Sequence, residues 1–216
     1  YNGIQTAYDT GTGTTKEYRG RGLAQKIFNF SIPYLKNAGV KQYLLEVLQH
    51  NDGAFRLYEK MGFKVVREFY YHVFSKSDIF LKGISMDENY ELIRELQISK
   101  VDTSMFWDFY PSWQNDFESV NRQTEAFETI GVSFQGEIVA YVIFEPKSGD
   151  ITQLAVNHNH RRKGLATVLL NKALDEIDAE NVKLVNTELN CESMNGFMQS
   201  IGVDSTGRQF EMKKLL

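Results

Sequence analysis

Along this chain of 216 residues the apolar positions switch between two spacings. Helical spacing, with apolar residues three and four apart, occurs at Leu23, Ile27, Phe30, Tyr34 and Ala38, and again at Leu165, Leu169, Ala173 and Ile177. A shorter helical face, Ala54, Leu57, Tyr58 and Met61, ends at Gly62; a second, Met194, Phe197, Met198 and Ile201, ends at Gly202. Glycine after the last apolar position is the usual helix stop. Apolar, β-branched and aromatic runs predict strands over residues 4–15, 42–47, 90–96, 126–134, 138–144, 151–157 and 182–187. Gln135-Gly136-Glu137 joins two of these as a hairpin, and residues 103–120 predict one or two helices interrupted at Pro111. Pro33 falls inside the first helix and predicts a kink.

The pattern repeats. Arg19-Gly20-Arg21-Gly22-Leu23-Ala24 is answered 142 positions later by Arg161-Arg162-Lys163-Gly164-Leu165-Ala166, each between a predicted strand and a predicted helix. The short helix recurs at an offset of 140, with Tyr58 answered by Met198. The chain therefore reads as residues 1–76, the C-terminal half of a first domain; 77–85, a linker; and 86–216, a complete second domain. By the same offset Tyr1 corresponds to Ile143, so the first copy lacks the equivalent of residues 85–142. Since the first residue is not Met and the chain reads as opening inside a strand, the natural protein is expected to continue upstream, or another chain to cover the open strand edge.

Charge separates the copies. Residues 1–75 hold ten Lys/Arg against six Asp/Glu, within a chain of net charge −4. The overall acidity and the lack of a basic, aromatic-interleaved stripe argue against nucleic acid as a partner. No apolar run is long enough to span a membrane, and the single cysteine, Cys191, suits a cytoplasmic location.

The repeated loop has its own chemistry. A glycine- and arginine-rich turn between strand and helix offers backbone N–H groups, the positive helix end and guanidinium donors to an anion such as a pyrophosphate. Gly20 and Gly22 let backbone approach closely, whereas the second loop has Arg162 in place of Gly20 and keeps Gly164. No Walker-type or dinucleotide glycine pattern is present. His158 and His160 read as loop residues beside phosphates rather than metal ligands, and no metal is expected. Met105, Phe106, Trp107, Phe109, Tyr110 and Trp113 form an aromatic cluster that either packs helices onto the sheet or lines an acceptor pocket.

Residues 14–24, followed by Asn51-Asp52-Gly53-Ala54-Phe55-Arg56-Leu57-Tyr58-Glu59-Lys60-Met61-Gly62-Phe63, resemble the fourth strand, pyrophosphate loop and cofactor helix of the GNAT N-acetyltransferase superfamily. The resemblance implies an α/β (α+β) fold whose mixed sheet splays between its fourth and fifth strands, with acetyl-CoA in the gap. By that resemblance Thr14, Thr15, Arg19, Gly20, Arg21, Gly22, Leu23, Ala24 and Asn51 bind the cofactor in the first copy. Val156, Asn157, Arg161, Arg162, Lys163, Gly164, Leu165, Ala166 and Asn190 are their counterparts in the second. It also implies attack of a primary amine on the thioester, with Tyr58 as general acid; the bland alternative is a core tyrosine, and Asn51 equally suits a helix cap. The general base is left open among Asp9, Glu145 and Asp150.

Met198 cannot donate a proton, so the competing expectation is that the second domain is a non-catalytic acyl-CoA-binding or dimerisation module. The acceptor, a small-molecule or protein amine, is not written in the sequence, and a homodimer is compatible with it.

Overall fold

The computed structural model describes residues 1–81, 86–94 and 96–216. They form two compact units, Tyr1–Phe69 with Gly207–Leu216, and Tyr70–Thr206.

The first unit contains β1 (Thr6–Asp9), α1 (Leu23–Asn37), β2 (Gln42–Leu48), α2 (Asp52–Lys60), the beginning of β3 (Lys64–Ser75) and the last strand of the chain. The second unit contains the end of β3, then β4 (Tyr90–Arg94), α3 (Phe117–Arg122), β5 (Glu128–Phe134), β6 (Glu137–Glu145), β7 (Asp150–Val156), α4 (Leu165–Glu176), β8 (Asn181–Glu188) and α5 (Glu192–Ser200). The last strand is β9 (Gly207–Leu215).

Strands of the first unit are ordered β1-β2-β9-β3. β1 and β2 are parallel, and β9 lies antiparallel to β2 along its full length, from Gln42 opposite Leu215 to Leu48 opposite Gln209. The sequence boundaries assigned β9 to the second domain and all of β3 to the first. The compact units divide the chain differently: β9 inserts between two strands of the first unit, and β3 runs on beside β8 in the second. The expected linker is also partly docked, since the Phe80 N–H bonds the Ile201 carbonyl at 3.0 Å; Lys82 to Ser85 lie outside the described residues.

The second unit orders its strands β8-β7-β6-β5-β4, antiparallel except for the β7–β8 pair. Its core packs α4 onto β5, β6 and β7 through Leu165, Leu169, Leu170 and Ala173. The first unit's core is smaller: Phe28 of α1 and Tyr58 of α2 meet Leu45, Val47, Phe63 and Met212. Burial of large apolar side chains, each worth about 1.5–3 kcal/mol, holds both.

Two sequence expectations are corrected, and α1 buries a different face from its counterpart α4. The first strand stops at Asp9 rather than residue 15, because the Asp9 carboxylate accepts the Gly11 N–H and the Thr12 hydroxyl and turns the chain. Residues 103–120 yield only α3 and a 3-10 turn, Trp113–Asn115. The periodic face of α1 is not its buried face: Ile27 is 54% exposed, and Phe30 and Tyr34 are exposed too, whereas the equivalent Leu169 is 0% exposed. Strands β5 and β6 cover Leu169; in the first unit β1 is the edge, and among the described residues none lies beyond it. α1 runs through Pro33 to Asn37. Among the described residues no helix is long and apolar enough to cross a membrane.

Candidate functional site

In each copy a strand outruns its pairing with a parallel neighbour, and the point where that pairing ends is here called the splay. β1 ends at Asp9, opposite Leu45, and β2 continues beside β9 to Leu48 without a β1 partner. β7 and β8 pair only at Asp150–Lys183 and Ile151–Leu184, although β7 runs to Val156 and β8 to Glu188. In the second unit the gap is a cavity of about 420 Å³ whose walls include Phe106, Leu154, Val156, Leu184, Asn186 and Met194.

The two loops superpose in conformation as well as in sequence. Gly20 and Gly22 have φ of 75° and 69°, and Arg162 and Gly164 have φ of 61° and 79°. Arg162 thus carries a side chain in the left-handed region, where one costs about 1–2 kcal/mol. Each loop's first arginine bonds back to a carbonyl five residues earlier: Arg19 Nε to that of Thr14 at 3.0 Å, beyond the end of β1, and Arg161 Nε to that of Val156, the last residue of β7, at 3.1 Å. Gly22 starts α1 with no capping side chain, so the N–H groups at Leu23 and Ala24 lack an intrahelical acceptor. A Cβ built on Gly20 or Gly22 meets nothing within 4 Å, so the cradle is open. These groups fit an anionic cofactor head. Arg21 bonds the Glu17 carbonyl and lies over the Tyr18 ring, and Thr15 precedes the 3-10 turn Lys16–Tyr18, its carbonyl accepting the Tyr18 N–H.

The second loop is differently engaged. Both Asp108 oxygens accept Arg161 Nη1, at 3.0 and 2.9 Å, while Arg161 Nη2 bonds the Phe106 carbonyl. Asp108 also takes the Ser193 hydroxyl at the start of α5 and faces His158 Nε2 at 3.2 Å. Burial favours a higher pKa for Asp108, but the Ser193 and Arg161 hydrogen bonds and the Arg161 and His158 charges outweigh it and hold the carboxyl below its ordinary value. Lys163 Nζ bonds the Tyr90 hydroxyl, which also meets His160 Nδ1. Across the cavity Asn115 Nδ2 bonds the Val185 carbonyl, and Asn186 Nδ2 bonds Ser112 Oγ. The splayed edge of β8 is therefore already partnered in part. Asn157 accepts the Asn159 N–H, Leu165 is buried beneath the loop, and Ala166 packs against the core.

Tyr58 is buried against Phe28 and Phe63, with ring centroids 5.7 and 5.9 Å away. Among the described residues its hydroxyl has no hydrogen-bond partner. Burial, then the Asp9 charge and Tyr43, push its pKa up to about 12. Asn51 caps α2 by accepting the Ala54 N–H at 3.2 Å. The residue at the matching cap of α5 is Cys191, not Asn190, because Asn51 N–H bonds Leu48 and Cys191 N–H bonds Glu188 in the same way. Asn190 is exposed on the preceding turn. Met198 is 1% exposed in the second core.

Of the base candidates, Asp9 is turned onto Gly11 and Thr12, while Asp150 faces Lys183 and Glu145 takes the Ser148 hydroxyl, both at the closed end of β7. Sequence reasoning missed a better one. Glu46 is the first residue of β2 beyond the splay point, and since Leu45 and Val47 face Tyr58, Glu46 faces the opposite side. Its Oε2 accepts the Tyr8 hydroxyl; its Oε1 is buried and has no hydrogen-bond partner among the described residues. Burial, together with the Glu211 charge and against Arg67, pushes it up to about 8. The signal was present as a lone carboxylate in the apolar run Tyr43-Leu44-Leu45-Glu46-Val47-Leu48.

The profile of the acetyltransferase (GNAT) family matches residues 3–63 and 87–202, most of the chain in two segments. The chain belongs to the GNAT acetyltransferase family. Its GNAT fold is shared with a tandem GNAT protein from the clavulanic acid biosynthesis pathway, with a TM-score of 0.73 at 14% identity over 99% of this chain and 76% of that one. A GCN5-related N-acetyltransferase from Sphaerobacter thermophilus gives a TM-score of 0.64 at 15% identity, covering 93% and 70%. In sequence, this GNAT chain is similar to N-alpha-acetyltransferase 30 of Schizosaccharomyces pombe, 35% identical over 65 residues. That match takes in 30% of this chain and 43% of that protein, under half of its length. The mycothiol acetyltransferase of Corynebacterium efficiens is 36% identical over 53 residues, 24% of this chain and 18% of that protein.

Proposed function

We propose that the protein is an acetyl-CoA-dependent N-acetyltransferase acting on a primary amine, with its chemistry in the first copy. The observation that carries this reading is the pair of buried side chains on opposite faces of β2 at the splay, the Tyr58 hydroxyl and the Glu46 carboxyl. Arg19, Gly20, Arg21 and Gly22, with the N–H groups of Leu23 and Ala24, would hold the cofactor's phosphates; Thr14, Thr15 and Asn51 flank its arm. When bound, acetyl-CoA supplies the acetyl group as an activated thioester. Glu46 takes a proton from the acceptor ammonium at its unpartnered Oε1, freeing the nitrogen lone pair for attack. As the C–N bond forms and the C–S bond breaks, Tyr58 gives its proton to the departing sulfur and is restored by the second proton that the nitrogen loses on becoming an amide; the proton held by Glu46 is the one released to solvent. A hydroxyl held near pKa 12 keeps its proton through neutral pH and so remains a donor.

Tyr58→Phe is accordingly expected to lower kcat about 100-fold, within the range of a positioned proton donor, while leaving coenzyme A affinity unchanged. Thiol release against a panel of amines, beside calorimetric titration of coenzyme A, reads both. An undiminished rate removes Tyr58 from the mechanism.

Two observations favour a second reading for the other copy, as a non-catalytic module: Met198 replaces the proton donor, and Asp108 holds Arg161. With the first loop disabled by Gly22→Glu, coenzyme A is expected to bind the second copy only when Asp108→Ala is added. Equal binding with Asp108 intact counts against a loop occupied by its own carboxylate.

A further inference from the structure

The first copy's splay contains a charge cluster assembled from both ends of the chain. Glu46 on β2 stands directly opposite Glu211 on β9. Glu211 is 3% exposed and accepts both Nε and Nη2 of Arg67, at 2.8 and 2.7 Å; Arg67 is on β3, the next strand along. Arg67 Nη2 also donates to the Tyr1 hydroxyl at 2.7 Å. From β1, the Tyr8 hydroxyl reaches the other side of Glu46. A lone carboxylate in this setting would draw Arg67 toward it and become a permanently ionised, weakly basic partner of the guanidinium. Glu211 forms that ion pair instead.

We propose that Glu211 and Arg67 are positioning residues for Glu46: Glu211, delivered by the last strand of the chain, engages Arg67 so that the Glu46 carboxyl keeps a free oxygen able to take up a proton. The inference rests on the reading of Glu46 as proton acceptor. It gives the end of the second repeat a role in the first copy's site, because β9 lies between β2 and β3. Two acidic side chains and one arginine share a buried region, so the charge balance there decides which carboxyl carries the proton. The raised pKa of Glu46 agrees with this arrangement, since Glu211 pushes it up and Arg67 pulls it down.

The test follows the Glu46 carboxyl by carbon-13 NMR across pH in ligand-free protein, its resonance assigned with Glu46→Gln. Glu211→Gln leaves the Arg67 charge to act on Glu46 alone, and the titration midpoint is expected to fall by about one pH unit or more. Glu211→Gln/Arg67→Met removes both charges, avoids an unpaired buried guanidinium and is expected to restore the midpoint toward the wild-type value. The acid limb of kcat/KM should move with the midpoint in both variants. A midpoint unmoved in Glu211→Gln, or equally displaced in the double variant, overturns the proposal. If the midpoint moves as expected while Glu46→Gln keeps full activity, the proton-acceptor reading itself is lost, and the positioning role with it.

Discussion

Gly22→Glu is expected to abolish coenzyme A binding at the first loop while the protein remains folded. Gly22 has φ of 69° at the start of α1, and nothing lies within 4 Å of where its Cβ would be. A side chain there costs about 1–2 kcal/mol of left-handed strain but finds room. The larger effect is electrostatic: the new carboxylate lies among the N–H groups that begin α1, where it satisfies the same donors a phosphate would and repels its charge. Gly22→Ala carries the strain without the charge and should weaken binding only partly. Calorimetric titration of coenzyme A, with thermal unfolding as a control on folding, separates the two effects. Retained affinity in a folded Gly22→Glu protein would place the cofactor elsewhere.

Much of this site was legible in the chain because its determinants are local. A glycine turn between strand and helix, an asparagine before an apolar helical face and a glycine after it each act within a few residues, so the loops, α2 and α5 appear where the pattern puts them. What was not legible depends on partners distant in sequence. Nothing in Gly207–Leu215 announces that it pairs with β2 rather than with the strands of its own repeat, and the Glu46–Glu211 juxtaposition follows only from that pairing. Apolar spacing along α1 reports where burial is available, not whether a neighbour provides it; Ile27 and Leu169 have the same place in their helices and opposite exposure. Asp108 went unnoticed for the same reason, 53 residues from the arginine it holds. The equivalence of Cys191 rather than Asn190 to the Asn51 cap rests on matching backbone bonds, Asn51 N–H to Leu48 and Cys191 N–H to Glu188, which residue type alone does not disclose.

Glu46→Gln should reduce kcat/KM by about 1000-fold, in the range of a lost general base, and its effect on stability separates catalysis from packing. The folded protein holds the Glu46 pKa near 8, above the ordinary carboxylate value of 4.5. Between those values the unfolded chain has released its proton while the folded protein retains it, so the folded state binds more protons and wild-type stability declines as pH rises. Below about pH 4.5 the penalty vanishes; above about pH 8 it is fully present. Glutamine carries no such charge, so Glu46→Gln should unfold at higher denaturant than the wild type at pH 8 and show a flatter dependence from pH 5 to 8. Loss of activity with a gain of stability at pH 8 is what a strained, functional carboxyl predicts. Wild-type activity should rise with pH through the same interval, as Oε1 becomes free to accept a proton. If Glu46→Gln instead lowers activity and stability together at every pH, the carboxyl is a structural partner of Tyr8 and the base must be sought elsewhere on the splay.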